Sequence, residues 1–229
     1  MSDTSYTGTE VLENLTEAYN YNNALKTLVE INTGKADKVL DFGAGIGTFS
    51  DLLRNSYPNL ECLEIDSKQG ETLKSKGYKV LTELDQAPDD SYDAIYSLNV
   101  FEHIENDREV FQHLLRKVKK GGKVVLFLPA FNSLYSHFDK FVGHFRRYDK
   151  KMLIDMTKSD DINIEKIHYF DSIGFLAAYA FKMIKNEEQL PKKSEILFYD
   201  KIIFPLTKVT DFFLKYFFGK NVYCVITKK

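Results

Sequence analysis

Three glycines alternate in Val39-Leu40-Asp41-Phe42-Gly43-Ala44-Gly45-Ile46-Gly47-Thr48-Phe49, between an apolar β-rich run and a helical one. Such a turn lets backbone N–H groups come close to a ligand, because side chains at those positions would stand in between. β-rich runs at residues 38–41, 60–65, 78–81, 94–98 and 123–128 alternate with segments of helical length and pattern. Residues 49–55 and 108–119 are two of these helices, the second expected to stop at Gly121-Gly122. Strands and helices in alternation predict an α/β fold with a parallel, doubly wound sheet covered on both faces.

Apolar residues at helical spacing place a helix over 11–31, with a break expected at the Asn-rich 19–23. Pro129 ends a strand, and the polar, aromatic stretch that follows to Tyr148 is too long for an idle connection. It reads as a working loop or lid. Beyond it come a helix over 150–157, a strand over 162–170, a helix over 172–184 and a charged linker over 186–195. Next is an aromatic segment, 196–218, which Pro205 is expected to break, and then a closing strand over 221–227. At 229 residues the chain is sized for one core, since single cores stop growing near ~250 residues. The expected organisation is one domain: an N-terminal helical segment (1–35), a ligand-binding core (36–129), a substrate loop (130–150) and a C-terminal helical lobe (186–220).

Composition narrows the function classes. Hydrophobic residues at 44% and charged residues at 28% exclude disorder. The longest uncharged stretch, 124–138, contains Pro129, Asn132, Ser133 and Ser136, so no membrane-spanning helix is expected. A net charge of -2 supplies no field for nucleic acid. Residues 182–229 nevertheless hold ten lysines against five acids, a solvated basic surface or a contact for something anionic. Cys62 and Cys224 lie in apolar runs without redox or metal-ligand spacing and read as core thiols; no metal site is expected. The first ten residues lack the pattern of a signal peptide, so a cytoplasmic location is expected.

The glycine turn narrows the ligand. Dinucleotide binding calls for G-x-G-x-x-G, whereas here the third glycine is Gly47 and position 48 is Thr. This disfavours a nicotinamide-dependent oxidoreductase. The pattern D-x-G-x-G-x-G, with Asp41 at the strand end, suits a ligand carrying an ammonium group and no phosphate, which points to S-adenosylmethionine. On these residues the chain resembles the class I S-adenosylmethionine-dependent methyltransferases of small-molecule type. The resemblance implies a Rossmann-like seven-stranded sheet with its last strand antiparallel, an added helical lobe, and S-adenosylhomocysteine as product. It further implies that Asp41 orients the methionine ammonium, with Gly43, Gly45 and Gly47 beneath the cofactor. Glu64, with Asp66 as the alternative, would accept from both ribose hydroxyls. Asp85 would hold the adenine amino group. The segment Tyr92-Asp93-Ala94-Ile95-Tyr96-Ser97-Leu98-Asn99-Val100-Phe101-Glu102-His103-Ile104 is similar to that of small-molecule members, with Asn99 flanking the cofactor and Glu102-His103 at the pocket mouth.

Members that methylate amino groups of bases or glutamine carry Asn/Asp-Pro-Pro-Tyr/Phe where this chain has Ser97-Leu98-Asn99-Val100-Phe101, so oxygen is favoured over nitrogen. A hydroxyl acceptor needs a base or a positioning donor, and His103 and His144 are the candidates. The loop Gly143-His144-Phe145-Arg146-Arg147-Tyr148 resembles a methyltransferase group with a Gly-His-x-Arg-Arg-Tyr motif, which implies a glycan or lipid acceptor. Arg146 and Arg147 would hold its anionic group beside Glu102, Tyr135 and Tyr148; alternatively they pair with Asp139 or Asp149. The aromatic tail is read first as core or lobe packing, then as a dimer surface or an interfacial helix, which Pro205 disfavours. The expected function is methyl transfer to a small-molecule or glycan/lipid acceptor, the alternative a non-catalytic cofactor-binding partner subunit.

Overall fold

The computed structural model describes residues 16–184 and 193–229. Seven strands form one sheet in the order β3-β2-β1-β4-β5-β7-β6. They are β1 (Lys38–Phe42), β2 (Asn59–Leu63), β3 (Lys79–Leu81), β4 (Tyr92–Leu98), β5 (Val118–Pro129), β6 (Ile162–Phe170) and β7 (Asn221–Lys228). β1 to β5 pair in parallel, and β7 inserts antiparallel between β5 and β6. The Rossmann-like sheet with its last strand antiparallel is thus the fold the chain adopts.

The central strands are apolar on both faces because helices cover both. Leu40, Ile95, Val124 and Leu126 meet Phe111 and Leu114 of α4 (Asp107–Lys117) and Leu153 of α6 (Lys150–Thr157). Their sequence neighbours Val39, Ala94, Val125 and Phe127 point the other way. They meet Leu25, Leu28 and Val29 of α1 (Tyr19–Thr33) and Leu53 of α2 (Thr48–Leu53). The remaining α-helices among the described residues are α3 (Ser67–Ser75), α5 (His137–Phe141), α7 (Ser172–Ile184), α8 (Lys193–Phe198) and α9 (Phe204–Leu214). Cys62 and Cys224 are buried free thiols, and burial pushes both up to about 12.

Four local expectations are corrected. The Asn-rich run is the first turn of α1, not a break: the backbone N–H groups of Asn20 and Tyr21 donate to the buried Asp200 carboxylate at 3.1 and 2.8 Å, a cap supplied from 180 residues away. Gly121-Gly122 does not stop a helix, because α4 ends at Lys117 and both glycines lie inside β5. There the register against β4 shifts between Tyr92 and Ala94, and a Cβ on Gly122 would meet the Asp93 carbonyl at 3.0 Å. Pro205 breaks nothing, since helix runs on from α8 through a π-helical turn (Tyr199–Ile203) into α9. The wider turn moves aside the carbonyl that a proline ring would strike. Finally, Phe212, Phe213, Tyr216 and Phe217 face outward, contrary to the core-packing expectation. α9 turns Phe204, Thr207 and Asp211 inward, and Asp211 accepts from the N–H groups of Asp171 and Ser172 at the start of α7. The proposed helix over 11–15 and most of the charged linker lie outside the described residues. Among the described residues no helix is long and apolar enough to cross a membrane.

Candidate active site

The strand order reverses direction between β1 and β4, so the loops leaving their carboxyl ends open a crevice. Gly43, Gly45 and Gly47 line it with φ of 78°, 58° and 86°, a left-handed conformation that favours glycine. A Cβ on Gly43 would stand 2.4 Å from Val100 Cγ2, so the turns after β1 and β4 touch here. The turn is preformed: Gly43 and Ala44 donate their N–H groups to the Leu63 carbonyl (2.9 and 3.1 Å), and Gly45 donates to Glu64 Oε2 (2.7 Å).

Asp41 is buried at the end of β1, its Oδ2 accepting from Ser50 Oγ (2.6 Å) and Tyr96 OH (2.8 Å). Burial pushes its carboxyl up to about 7 against those two hydrogen bonds. Glu64 accepts from Gly45 N–H through one oxygen and from Asp66 N–H through the other (2.9 Å), and burial raises it above the usual carboxylate range. Asp66 caps α3, accepting from the Gln69 N–H at 2.9 Å. Between the two acids Ile65 is 77% exposed, an apolar side chain at the crevice that sequence reasoning passed over; its signal was an Ile flanked by two acids. Asn99 closes β4 at φ 56°, with its N–H on the Phe127 carbonyl. Asp85 lies after β3 at the same edge of the sheet, in the turn Leu84–Gln86, and approaches His113 Nε2 at 2.9 Å. The cradle, the acids at the ends of β1 and β2 and the bare Ile65 fit a ligand with an ammonium, a diol and a flat ring.

The second half of the site joins two motifs that are about 40 residues apart. The Phe145 N–H donates to the Glu102 carbonyl (2.8 Å), Arg146 to the Glu105 carbonyl (2.8 Å) and Tyr148 OH to the Phe101 carbonyl (3.0 Å), pinning the loop after β5 onto the loop after β4. Glu102 is fully buried, His103 and His144 are half-buried, and the two imidazole rings meet edge to face at 4.6 Å. Burial pushes Glu102 up to about 8 and, together with the neighbouring His144, holds His103 down to about 4.

The arginines are engaged within the protein. Arg147 is buried and forks onto Asp139, with Nε on Oδ1 (2.8 Å) and Nη2 on Oδ2 (3.1 Å). Asp139 also meets His144 Nδ1 (2.7 Å) and accepts from Ser136 N–H (2.9 Å). Burial opposes its charge, but His144 and Arg147 outweigh it and hold the carboxyl down to about 2. Arg146 instead pairs with Asp107 at 2.7 Å. Tyr148 is buried with its hydroxyl on Asp107 (2.7 Å), and Tyr135 OH donates to the His144 carbonyl (2.6 Å). Arg147, Tyr148 and Tyr135 therefore brace the loop.

Residues 10–176 match the family model described as a methyltransferase domain. A curated relative, the malonyl-[acyl-carrier protein] O-methyltransferase of Paenibacillus sp. (strain JDR-2), is 30% identical over 54% of this chain and 51% of its own. The chain spans about half the length of that relative. Among solved structures, the S-adenosylmethionine-dependent methyltransferase of Archaeoglobus fulgidus superposes with a TM-score of 0.61 at 20% identity, covering 93% of this chain and 94% of that one. A chain of the complex between the Haloferax volcanii Trm112 methyltransferase activator and a methyltransferase superposes with a TM-score of 0.66 at 14% identity, covering 100% and 99%. The chain belongs to the methyltransferase-domain family, with the fold of an S-adenosylmethionine-dependent methyltransferase.

Proposed function

We propose that this chain transfers the methyl group of S-adenosylmethionine to an oxygen of a small acidic or hydroxylated acceptor of glycan or lipid type. The observation that carries the reading is the Glu102–His103–His144 group, set beside the glycine turn at the carboxyl ends of the strands. The relative named as an O-methyltransferase supports oxygen. When bound, the cofactor supplies a methyl on a sulfonium sulfur; that carbon–sulfur bond breaks as a carbon–oxygen bond forms, leaving S-adenosylhomocysteine. Asp41 receives the ammonium, Glu64 the ribose hydroxyls, and Ile65 and Asn99 flank the ring system.

A hydroxyl acceptor must also lose a proton. His144 is oriented for this, because Asp139 holds its Nδ1 at 2.7 Å and turns Nε2 toward Glu102. Arg147 is a positioning residue that fixes Asp139. His144→Ala is expected to lower kcat about 100-fold with cofactor affinity within about twofold; equal losses in both would assign His144 to the scaffold. Parallel calorimetric titrations with S-adenosylmethionine, S-adenosylhomocysteine and NAD test the reading first, with binding of only the first two expected. An acceptor screen weighted toward anionic sugars and lipids follows.

Asp41 adds a pH signature. Its carboxyl near 7 must ionise to receive an ammonium, so binding releases a proton. Affinity for S-adenosylmethionine is expected to rise about eightfold between roughly pH 6 and 7.5, below the range where an α-amino group itself deprotonates. Calorimetry in buffers of different ionisation enthalpy reads the released proton; a flat profile would remove Asp41 from the ammonium.

A further inference from the structure

Glu102 Oε1 and His144 Nε2 face each other across 3.9 Å. Asp139 Oδ1 is 2.7 Å from His144 Nδ1, which orients the ring so that Nε2 is the nitrogen turned toward Glu102. Glu102 is fully buried, and among the described residues neither of its carboxylate oxygens has a hydrogen-bond partner. A buried carboxyl in that state keeps its proton unless a positive centre stands beside it. One proton shared between the two residues does not fit the spacing, which exceeds hydrogen-bond length. His103 contributes a third donor atom, and the donor atoms of all three side chains lie within 4.8 Å of one another.

Two imidazole nitrogens and a carboxylate oxygen are the ligand type of divalent transition-metal sites that keep a position open. Ligands around an ion at about 2.1 Å stand roughly 3.4 Å apart, so the group closes with side-chain movements of about an ångström. The surroundings are those of metal-ligating histidines, which donate their second N–H to a carboxylate or carbonyl. His144 has Asp139, itself locked by the Arg147 fork, and the His103 ring interacts with the backbone of Val142 and Gly143.

We propose that Glu102, His103 and His144 bind one divalent transition-metal ion and leave one coordination position for the acceptor oxygen. The ion's position stands on geometry alone; only the occupant of the open position rests on the methyl-transfer reading above. In the loaded site His144 is a ligand, and the ion replaces it in promoting proton loss: an acceptor hydroxyl that binds the ion releases its proton to water.

The test uses the full chain stripped with a chelator, without cofactor or acceptor. Zinc chloride titrated by calorimetry is expected to bind one ion per chain with micromolar or tighter affinity, and cobalt(II) to give a visible absorption band. Glu102→Gln and His144→Ala should each weaken binding by about 100-fold, and Asp139→Asn by about 10- to 100-fold. His113→Ala and His168→Ala, outside the group, should bind as the parent does. Absence of zinc and cobalt binding up to millimolar metal would overturn the proposal, as would binding that survives both Glu102→Gln and His144→Ala. Where Glu102→Gln fails to fold, His103→Gln carries the same comparison. S-adenosylmethionine titrated into the same samples separates the two readings: cofactor binding without metal binding retains the methyltransferase and removes the ion, and metal binding without cofactor binding does the reverse.

Discussion

Glu64→Ala is expected to raise the dissociation constant for S-adenosylmethionine about 100-fold while leaving the chain folded. The carboxylate stands at the end of β2 with one oxygen on the Gly45 N–H and the other on the Asp66 N–H, so its position is fixed before any ligand arrives. Each oxygen keeps a second lone pair for a ribose hydroxyl. Hydrogen bonds to a charged group contribute about 1.5 to 3 kcal/mol each, and a net loss of about 3 kcal/mol is roughly two orders of magnitude in affinity. The substitution also frees the Gly45 N–H, loosening the turn beneath the cofactor. Glu64→Gln keeps the shape without the charge and should lose about tenfold. Asp66→Ala is the control: it removes the cap on α3, costing about 1 kcal/mol of stability, with affinity within about twofold. Calorimetric titration of the three variants decides. Parent affinity in Glu64→Ala together with a loss in Asp66→Ala would move the ribose contact to Asp66.

The proposed cofactor half of the site was legible in the sequence because it is local. Asp41, the three glycines, Glu64 and Asn99 each lie at the carboxyl end of a strand that the apolar pattern already placed, and parallel order brings those ends to one edge. The acceptor half was less legible because its bonds are tertiary. Nothing in the spacing of Glu102 and His144 announces that the loop after β5 folds back on the loop after β4. Adjacent arginines read as one anion clamp, yet neighbouring residues in extended chain point to opposite sides. Arg146 reaches Asp107 while Arg147 reaches Asp139, so the pair does not converge on one ligand. The same limit explains the helix ends: Asp200 caps α1 and Asp211 caps α7 across long stretches of chain, which no capping motif in the sequence records.

The largest effect on stability is expected at the Arg147–Asp139 pair. Arg147→Met leaves a fully buried carboxylate without its fork, and breaking a buried pair costs about 3 to 5 kcal/mol. For a chain of this size that corresponds to a fall of roughly 10 °C in melting temperature. Arg146→Met opens a pair with solvent access on both sides and should cost about 1 kcal/mol or less. The acid limb separates the two further. Asp139 titrates near 2 in the folded chain and near ~3.9 unfolded, so its contribution is fully present above about pH 4 and disappears as pH falls through 2. Asp139→Asn should therefore be less stable than the parent at neutral pH and draw level with it below about pH 2, whereas Arg146→Met should keep a nearly constant offset. Thermal melts of the four proteins from neutral to acid pH check this. A parent and an Asp139→Asn variant that stay a fixed distance apart across that range would mean Asp139 is not held ionised by Arg147 and His144, and the loop would have to be braced by the Phe145, Arg146 and Tyr148 contacts alone.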